Sequence, residues 1–152
     1  MLDEIDKKLL NELQINSNRS AMQLSKAINA PRTTVNNRIK KLQQEGYIKG
    51  YKAIVNPKKL GKGITVLIHI VITSKKAASL VAEKLKKLPQ TEEVYILSGQ
   101  YDMMAKVRLK DTEELSRFIY DEVKGLRSWE GIERTESMIV LDTIKEHGII
   151  DP

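Results

Sequence analysis

The sequence predicts an α+β protein in two parts, a helix-turn-helix (winged-helix-like) unit followed by a ferredoxin-like βαββαβ unit. Three observations predict it. Apolar residues recur at helical spacing from Leu2 to Leu42, they switch to strict alternation at Ile64, and the remainder then reads as strand, helix, strand, strand, helix, strand. Between the two patterns lie Asn56, Pro57, Gly61 and Gly63, the punctuation of a linker. The expected division is a helix-turn-helix domain over 1–50, a linker strand or hinge over 51–63, and a ferredoxin-like domain over 64–152.

Asp3 can accept a hydrogen bond from the free backbone donors of a helix start, and Leu2, Ile5, Leu9, Leu10 and Leu13 then form one apolar face. Asn16, Ser17 and Asn18 interrupt it. Ser20 and Gln23 stand at capping-box spacing before the stripe Leu24, Ala27 and Ile28, and Asn29 suits a helix end. Pro31 suits the first turn of a third helix, where its missing donor costs nothing, and Val35, Ile39 and Leu42 carry the buried face to Gly46. Residues 47–52 alternate loosely and are expected as a small strand or wing.

In the second part, Ile64, Val66, Ile68, Ile70 and Ile72 place one face of a strand in a core, while Leu67 and Val71 imply partial cover of the other face. Ala78, Val81, Leu85 and Leu88 repeat at helical spacing and stop at Pro89. Residues 94–97 and 103–109 read as strands joined by the tight turn Ser98-Gly99-Gln100-Tyr101-Asp102. Asp111 or Thr112 caps a helix burying Leu115, Phe118, Ile119 and Val123, and 132–141 is a last strand with Glu133, Thr135 and Ser137 on one face. A four-stranded sheet with both helices on one side leaves its other side to be covered, and a second copy of the chain is the expected cover.

Charge is unevenly distributed. The net +6 resolves into 13 Lys+Arg against 5 Asp+Glu over residues 1–62, net +8, and 13 against 15 over 63–152, net −2. A basic helix-turn-helix beside a near-neutral remainder points to a polyanionic partner for the first part alone. The chain has no cysteine and two histidines, His69 and His147, which excludes disulfide frameworks and thiolate chemistry and poorly supplies metal or triad chemistry. There is no P-loop, GxGxxG or metal-ligand spacing, and no convincing carboxylate pair: Glu92 and Glu93 flank a strand and Glu133 and Glu136 fall on opposite faces of another. The expectation is no enzyme, no cofactor and no metal. No apolar run approaches a membrane span and the acidic start lacks signal-peptide features, so no membrane partner and a cytoplasmic, nucleoid-associated location are expected.

The stretch Leu24-Ser25-Lys26 and on to Val35, then Arg38-Ile39-Lys40-Lys41-Leu42, Glu45-Gly46-Tyr47-Ile48-Lys49-Gly50-Tyr51 and Leu60-Gly61, resembles the DNA-binding half of the Lrp/AsnC (feast/famine) transcriptional regulators. Gly99-Gln100-Tyr101-Asp102 and residues 131–141 resemble the family's ligand-sensing RAM domain. The likeness spans nearly the whole chain, with two departures: Ala30 before Pro31, where a capping Ser is frequent, and Gln43 after Leu42, where Glu is usual. It implies a homodimer built through the second domain, a further assembly into a tetramer of dimers, double-stranded promoter DNA as partner, and a small amino acid as effector.

In a helix-turn-helix the N-terminal part of the second helix meets base edges in the major groove. Arg32, Thr33, Thr34, Asn36 and Asn37 occupy that stretch, with Arg suited to guanine, Asn to adenine and Thr to a base or a thymine methyl. Lys40, Lys41, Lys49 and Lys52 are placed for phosphates, which add affinity without sequence information. Arg38 lies between Val35 and Leu42 and has two readings, a DNA contact or a salt bridge to an acid of the first helix. A dimer would present two such helices to a pseudopalindromic site.

For the effector, Gly99 permits close backbone approach, Asp102 could accept from an α-ammonium group, and backbone donors of the turn from Ser98 to Tyr101 could hold a carboxylate. Tyr101 offers a wall with a hydroxyl, Thr135 and Ser137 add polar contacts, and Gln100 is the expected specificity position, with glutamine among the candidate ligands. The resemblance implies that this turn and the last strand meet at the contact between dimers. The competing readings are an ordinary hairpin turn with solvent-facing strand residues, and an architectural DNA-binding protein that needs no effector.

Overall fold

The computed structural model describes residues 1–152, which form two compact units: Met1–Ile54 together with Ile144–Pro152, and Val55–Thr143. No helix is long and apolar enough to cross a membrane.

Three helices build the first unit: α1 (Glu4–Ile15), α2 (Ala21–Ile28) and α3 (Arg32–Gln44). Local chemistry sets each end. Asp3 caps α1 and forms a reciprocal capping box with Asp6, Ser20 does the same with Gln23 at α2, and Asn29 closes α2 in the left-handed conformation at φ +53°. Pro31 stands just ahead of α3 and gives no side-chain cap. Leu9, Leu13, Leu24, Ile28, Ala30, Val35 and Leu42 are buried together where the three helices meet. Burial of each large apolar side chain contributes about 1.5–3 kcal/mol. The wing expected over 47–52 is not a strand. Ile48 N–H bonds back to the Leu42 carbonyl at 3.0 Å, but no neighbouring extended segment supplies the ladder a strand requires.

Residues 144–152, expected with the second domain, belong to the first unit. The Gln14 side-chain amide brackets Ile150, its Nε2 donating to the Ile150 carbonyl and its Oε1 accepting from the Ile150 N–H, both at 2.8 Å. An amide side chain here takes the place of a backbone partner.

The second unit runs β1 (Ile64–Ile72), α4 (Lys75–Lys87), β2 (Thr91–Ile96), β3 (Met103–Leu109), α5 (Thr112–Tyr120) and β4 (Ile132–Ile139), an antiparallel sheet in the order β2-β3-β1-β4. Val66, Ile68 and Ile70 of β1 and Met103, Ala105, Val107 and Leu109 of β3 are buried against Val81 and Leu85 of α4 and Ile119 of α5. Register makes this one face: Ile70 lies opposite Met103, Ile68 opposite Ala105 and Val66 opposite Val107. The other face carries Leu67, His69, Val71, Met104 and Met138 and packs against neither helix.

Several boundaries depart from the sequence reading. Strand β2 begins at Thr91, three residues early, because Thr91 already pairs with Val107. Strand β4 stops at Ile139. Helix α5 ends at Tyr120, so Val123 lies in the following turn, 81% exposed, where the Asp121 side chain accepts from the Val123 and Lys124 N–H groups. A bulge at the start of β4 sets Val71 opposite Arg134 but Ile72 opposite Ile132, which leaves Glu133 as the extra residue and removes it from the face it would share with Thr135 and Ser137. Just before the bulge, Gly131 holds φ +95°, and a Cβ there would lie 2.6 Å from the Ala77 Cβ of α4.

Candidate functional site

Helix α3 sorts its residues by angle. At about 100° per residue, Arg32, Asn36 and Lys40 with Thr33 and Asn37 fill an arc of about 140°, opposite the side that carries Val35 and Leu42. All five are exposed, whereas Val35 and Leu42 are fully buried. Arg32 and Lys40 form no ion pair. Lys41, at the edge of the arc, has a loose partner in Glu45 at 3.9 Å. Gln43 and Gln44 extend the same exposed arc by one turn; their spacing of seven or eight residues from Asn36 would have revealed them. Lys49 and Lys52 are exposed on the unpaired segment that follows. Thr34 is half-buried, on the core side of the helix.

Arg38 also lies on the core side. Its Nη1 reaches Asp3 Oδ2 at 2.6 Å and both Asp6 oxygens at 3.2 Å, so the salt-bridge reading describes it and it does not join the exposed arc. The Asp6 carboxylate, then Asp3, raises the Arg38 pKa further. The Asp6 N–H, which donates to the Asp3 carboxylate, and the Arg38 charge hold Asp3 below the usual carboxylate range.

In the second unit the turn from Ser98 to Asp102 connects β2 to β3. Ser98, Gly99 and Gln100 are exposed, Gly99 holds φ +127° with open space where a Cβ would stand, and the three N–H groups have no backbone acceptor. Asp102 secures the turn: its Oδ2 accepts from Ile72 N–H at 2.8 Å, its own N–H donates to the Ile70 carbonyl at 3.0 Å, and its carbonyl accepts from Leu97. Tyr101 folds onto the open sheet face, stacked on His69 with ring centroids 4.5 Å apart, and its hydroxyl donates to Glu136. The Arg134 guanidinium stands 5.8 Å from the Tyr101 ring, within cation–π range. The bond to Glu136, together with desolvation, raises the Tyr101 pKa. His69 Nδ1 is buried without a hydrogen-bond partner.

The expected effector residues thus divide between two faces. Thr135 and Ser137 lie opposite Ile70 and Ile68 and share the helix-side face, whereas Tyr101 gathers His69, Arg134 and Glu136 on the other. Sequence reasoning missed those three partners. Only the pairing of β1 with β4, His69 opposite Glu136 and Val71 opposite Arg134, brings them beside the turn.

A tri-helical unit with an exposed polar and cationic face on α3, joined to an open-faced βαββαβ unit, is the arrangement of a DNA-binding regulator with a ligand-binding domain. The comparisons agree: residues 2–49 match the model for a winged helix-turn-helix DNA-binding domain, and residues 65–150 match the model for the Lrp/AsnC ligand binding domain. The chain is 41% identical over 146 residues to the HTH-type transcriptional regulator FL11 of Pyrococcus furiosus, covering 96% of this chain and 93% of that one. Among solved structures it is similar to a transcriptional regulator of Neisseria meningitidis in complex with L-methionine (26% identity, TM-score 0.92, 99% and 96% of the two chains) and to AsnC of Escherichia coli (27%, 0.88, 100% and 99%). The chain belongs to the Lrp/AsnC family of transcriptional regulators.

Proposed function

We propose that this regulator reads a specific promoter sequence through α3 and that a small amino acid, bound beside the 98–102 turn, biases its assembly and DNA affinity. Arg32, Thr33, Asn36 and Asn37 face base edges, and Lys40, Lys41, Lys49 and Lys52 face phosphates. The observation that carries this is the exposed arc of α3, whose cationic and amide side chains are free of competing intrachain ion pairs while its opposite side is sealed in the core. Residues 1–50 serve as reader, 51–63 as hinge and 64–143 as sensor and assembly surface.

At the sensor, the unengaged N–H groups of Ser98, Gly99 and Gln100 suit a carboxylate, and Glu136 with the second oxygen of Asp102 suits an ammonium group. Thr135 and Ser137 lie on an edge strand, accessible to a ligand or a neighbouring dimer. The L-methionine bound by the Neisseria relative supports an amino-acid ligand, with methionine and glutamine the first to test. The apolar open face around Leu67, Val71 and Met104 suits a second copy, giving a homodimer that presents two reading helices and can assemble into a tetramer of dimers. Action on promoter DNA places the protein in the cytoplasm with the nucleoid.

Selection of bound duplexes from random DNA, with and without an amino-acid panel, tests the whole reading. The expected result is a pseudopalindromic consensus whose affinity shifts with one amino acid, because a ligand acts only through differential affinity for two states. Enrichment of no sequence together with indifference to every amino acid would instead describe an architectural protein.

A further inference from the structure

Asp6 is the chain's buried charged residue, at 1% exposure, and it sits in the DNA-reading unit. A carboxylate leaves water at a cost of several kcal/mol unless its partners are well placed. Here they are: the Asp3 N–H donates to Asp6 Oδ2 at 3.2 Å, and Arg38 Nη1 reaches both oxygens at 3.2 Å while also touching Asp3. The acids are the cap and third residue of α1, and Arg38 is the middle residue of α3. One helix start therefore grips the waist of the other.

Arg38 lies one turn from Val35 and one turn from Leu42, the two fully buried residues of α3. Apolar packing holds the helix against the core without fixing its roll, since the hydrophobic effect has no direction. Hydrogen bonds to a buried carboxylate have direction. A roll of about 20° on a cylinder of about 5–6 Å radius moves a side-chain tip by about 2 Å, more than a bidentate base contact tolerates.

We infer that Arg38, with Asp6 and Asp3, is a positioning residue that fixes the roll of α3, so that Asn36 and Asn37 meet base edges in register. The inference rests on the reading of α3 as the base-contacting helix. It separates Arg38 from the contacts made by its neighbours on the exposed arc: Arg38 serves sequence discrimination through the carboxylates of α1.

The test compares wild type with Asp6→Asn, Arg38→Met and Arg38→Lys in the full-length protein. Binding to a duplex selected by wild type and to a scrambled duplex of equal length is followed by fluorescence anisotropy over a salt series, below each variant's thermal transition. Asp6→Asn and Arg38→Met are both expected to weaken the selected duplex by roughly five- to hundredfold, the value of one bidentate base contact. Affinity for the scrambled duplex and the salt slope stay unchanged, and Arg38→Lys, which keeps the charge, recovers part of the discrimination.

Asp6→Asn is the diagnostic variant because it removes a negative charge, so electrostatics alone would tighten all DNA binding. Tightening on both duplexes, or a slope reduced by about 0.9 per reading helix in Arg38→Met, would overturn the inference in favour of a direct phosphate contact. Should Asp6→Asn fail to fold, the two Arg38 variants carry the test. A discriminating wild type whose folded variants discriminate equally well sinks the positioning role alone. A wild type that does not discriminate sinks the reading of α3 as well.

Discussion

Replacing Arg32, Lys40 and Lys41 by alanine removes three cations from the outward side of α3. Arg32 and Lys40 have no acidic partner, and Lys41 holds Glu45 at 3.9 Å with both side chains more than 40% exposed, a pair worth about 0–1 kcal/mol. The triple variant should fold, since exposed substitutions of this kind cost about 0.5 kcal/mol or less each. Arg32 faces base edges and Lys40 and Lys41 face phosphates; each phosphate neutralised adds about 0.9 to the slope of log K against log salt, so the slope should shrink by about 1.8 per reading helix. Over a fourfold change in salt, wild type should lose roughly twelvefold more affinity than the variant for each helix engaged. Fluorescence anisotropy on a selected duplex between 50 and 200 mM salt, values chosen to span about the physiological range, measures the difference. Parallel salt lines for the two proteins would refute the placement of these side chains against DNA.

Three further outcomes are expected. Tyr101→Phe deletes the hydroxyl held by Glu136 and should weaken binding of the responding amino acid by about 1 kcal/mol, roughly fivefold, read by calorimetry against the panel. Unchanged binding would separate Tyr101 from the ligand. Acid should destabilise both units: Asp3, Asp111 and Asp121 are held below the usual carboxylate range by backbone N–H donors, so their contribution is complete above the unfolded-state pKa and is lost as pH falls through the lower folded-state value. Thermal melts from about pH 6 downward should show the midpoint dropping below about pH 4, and Asp111→Asn should flatten that fall. Gly131→Ala must accept φ +95° and a Cβ 2.6 Å from Ala77, a cost of about 1–3 kcal/mol visible as a lower unfolding midpoint. An unshifted midpoint would show that α4 yields freely at that contact.

Short-range chemistry was legible in the sequence. The Asp3 cap, the Ser20 and Gln23 capping box, the helix end at Asn29 and the alternation through β1 each depend on residues a few positions apart, and each occurs as the sequence predicts. Arg38 was half legible: its place between Val35 and Leu42 indicated the core side, but the partner lies 32 residues away on another helix. The faces of β4 were not legible, because parity holds only along an unbroken strand, and the extra residue at Glu133 resets it. The gathering of His69, Arg134 and Glu136 around Tyr101 depends on strand register across more than 60 residues, which no local pattern encodes. Val123 was misplaced because the Asp121 side chain accepts from the Val123 and Lys124 N–H groups and turns the chain out of the helix.

The bracket between Gln14 and Ile150 joins residues 136 positions apart. At a synthesis rate of about 5–20 residues per second, Gln14 waits roughly 7 to 27 seconds for its partner to be translated. The three helices, which bury their apolar residues against one another, are therefore all synthesised before the segment that braces α1 exists.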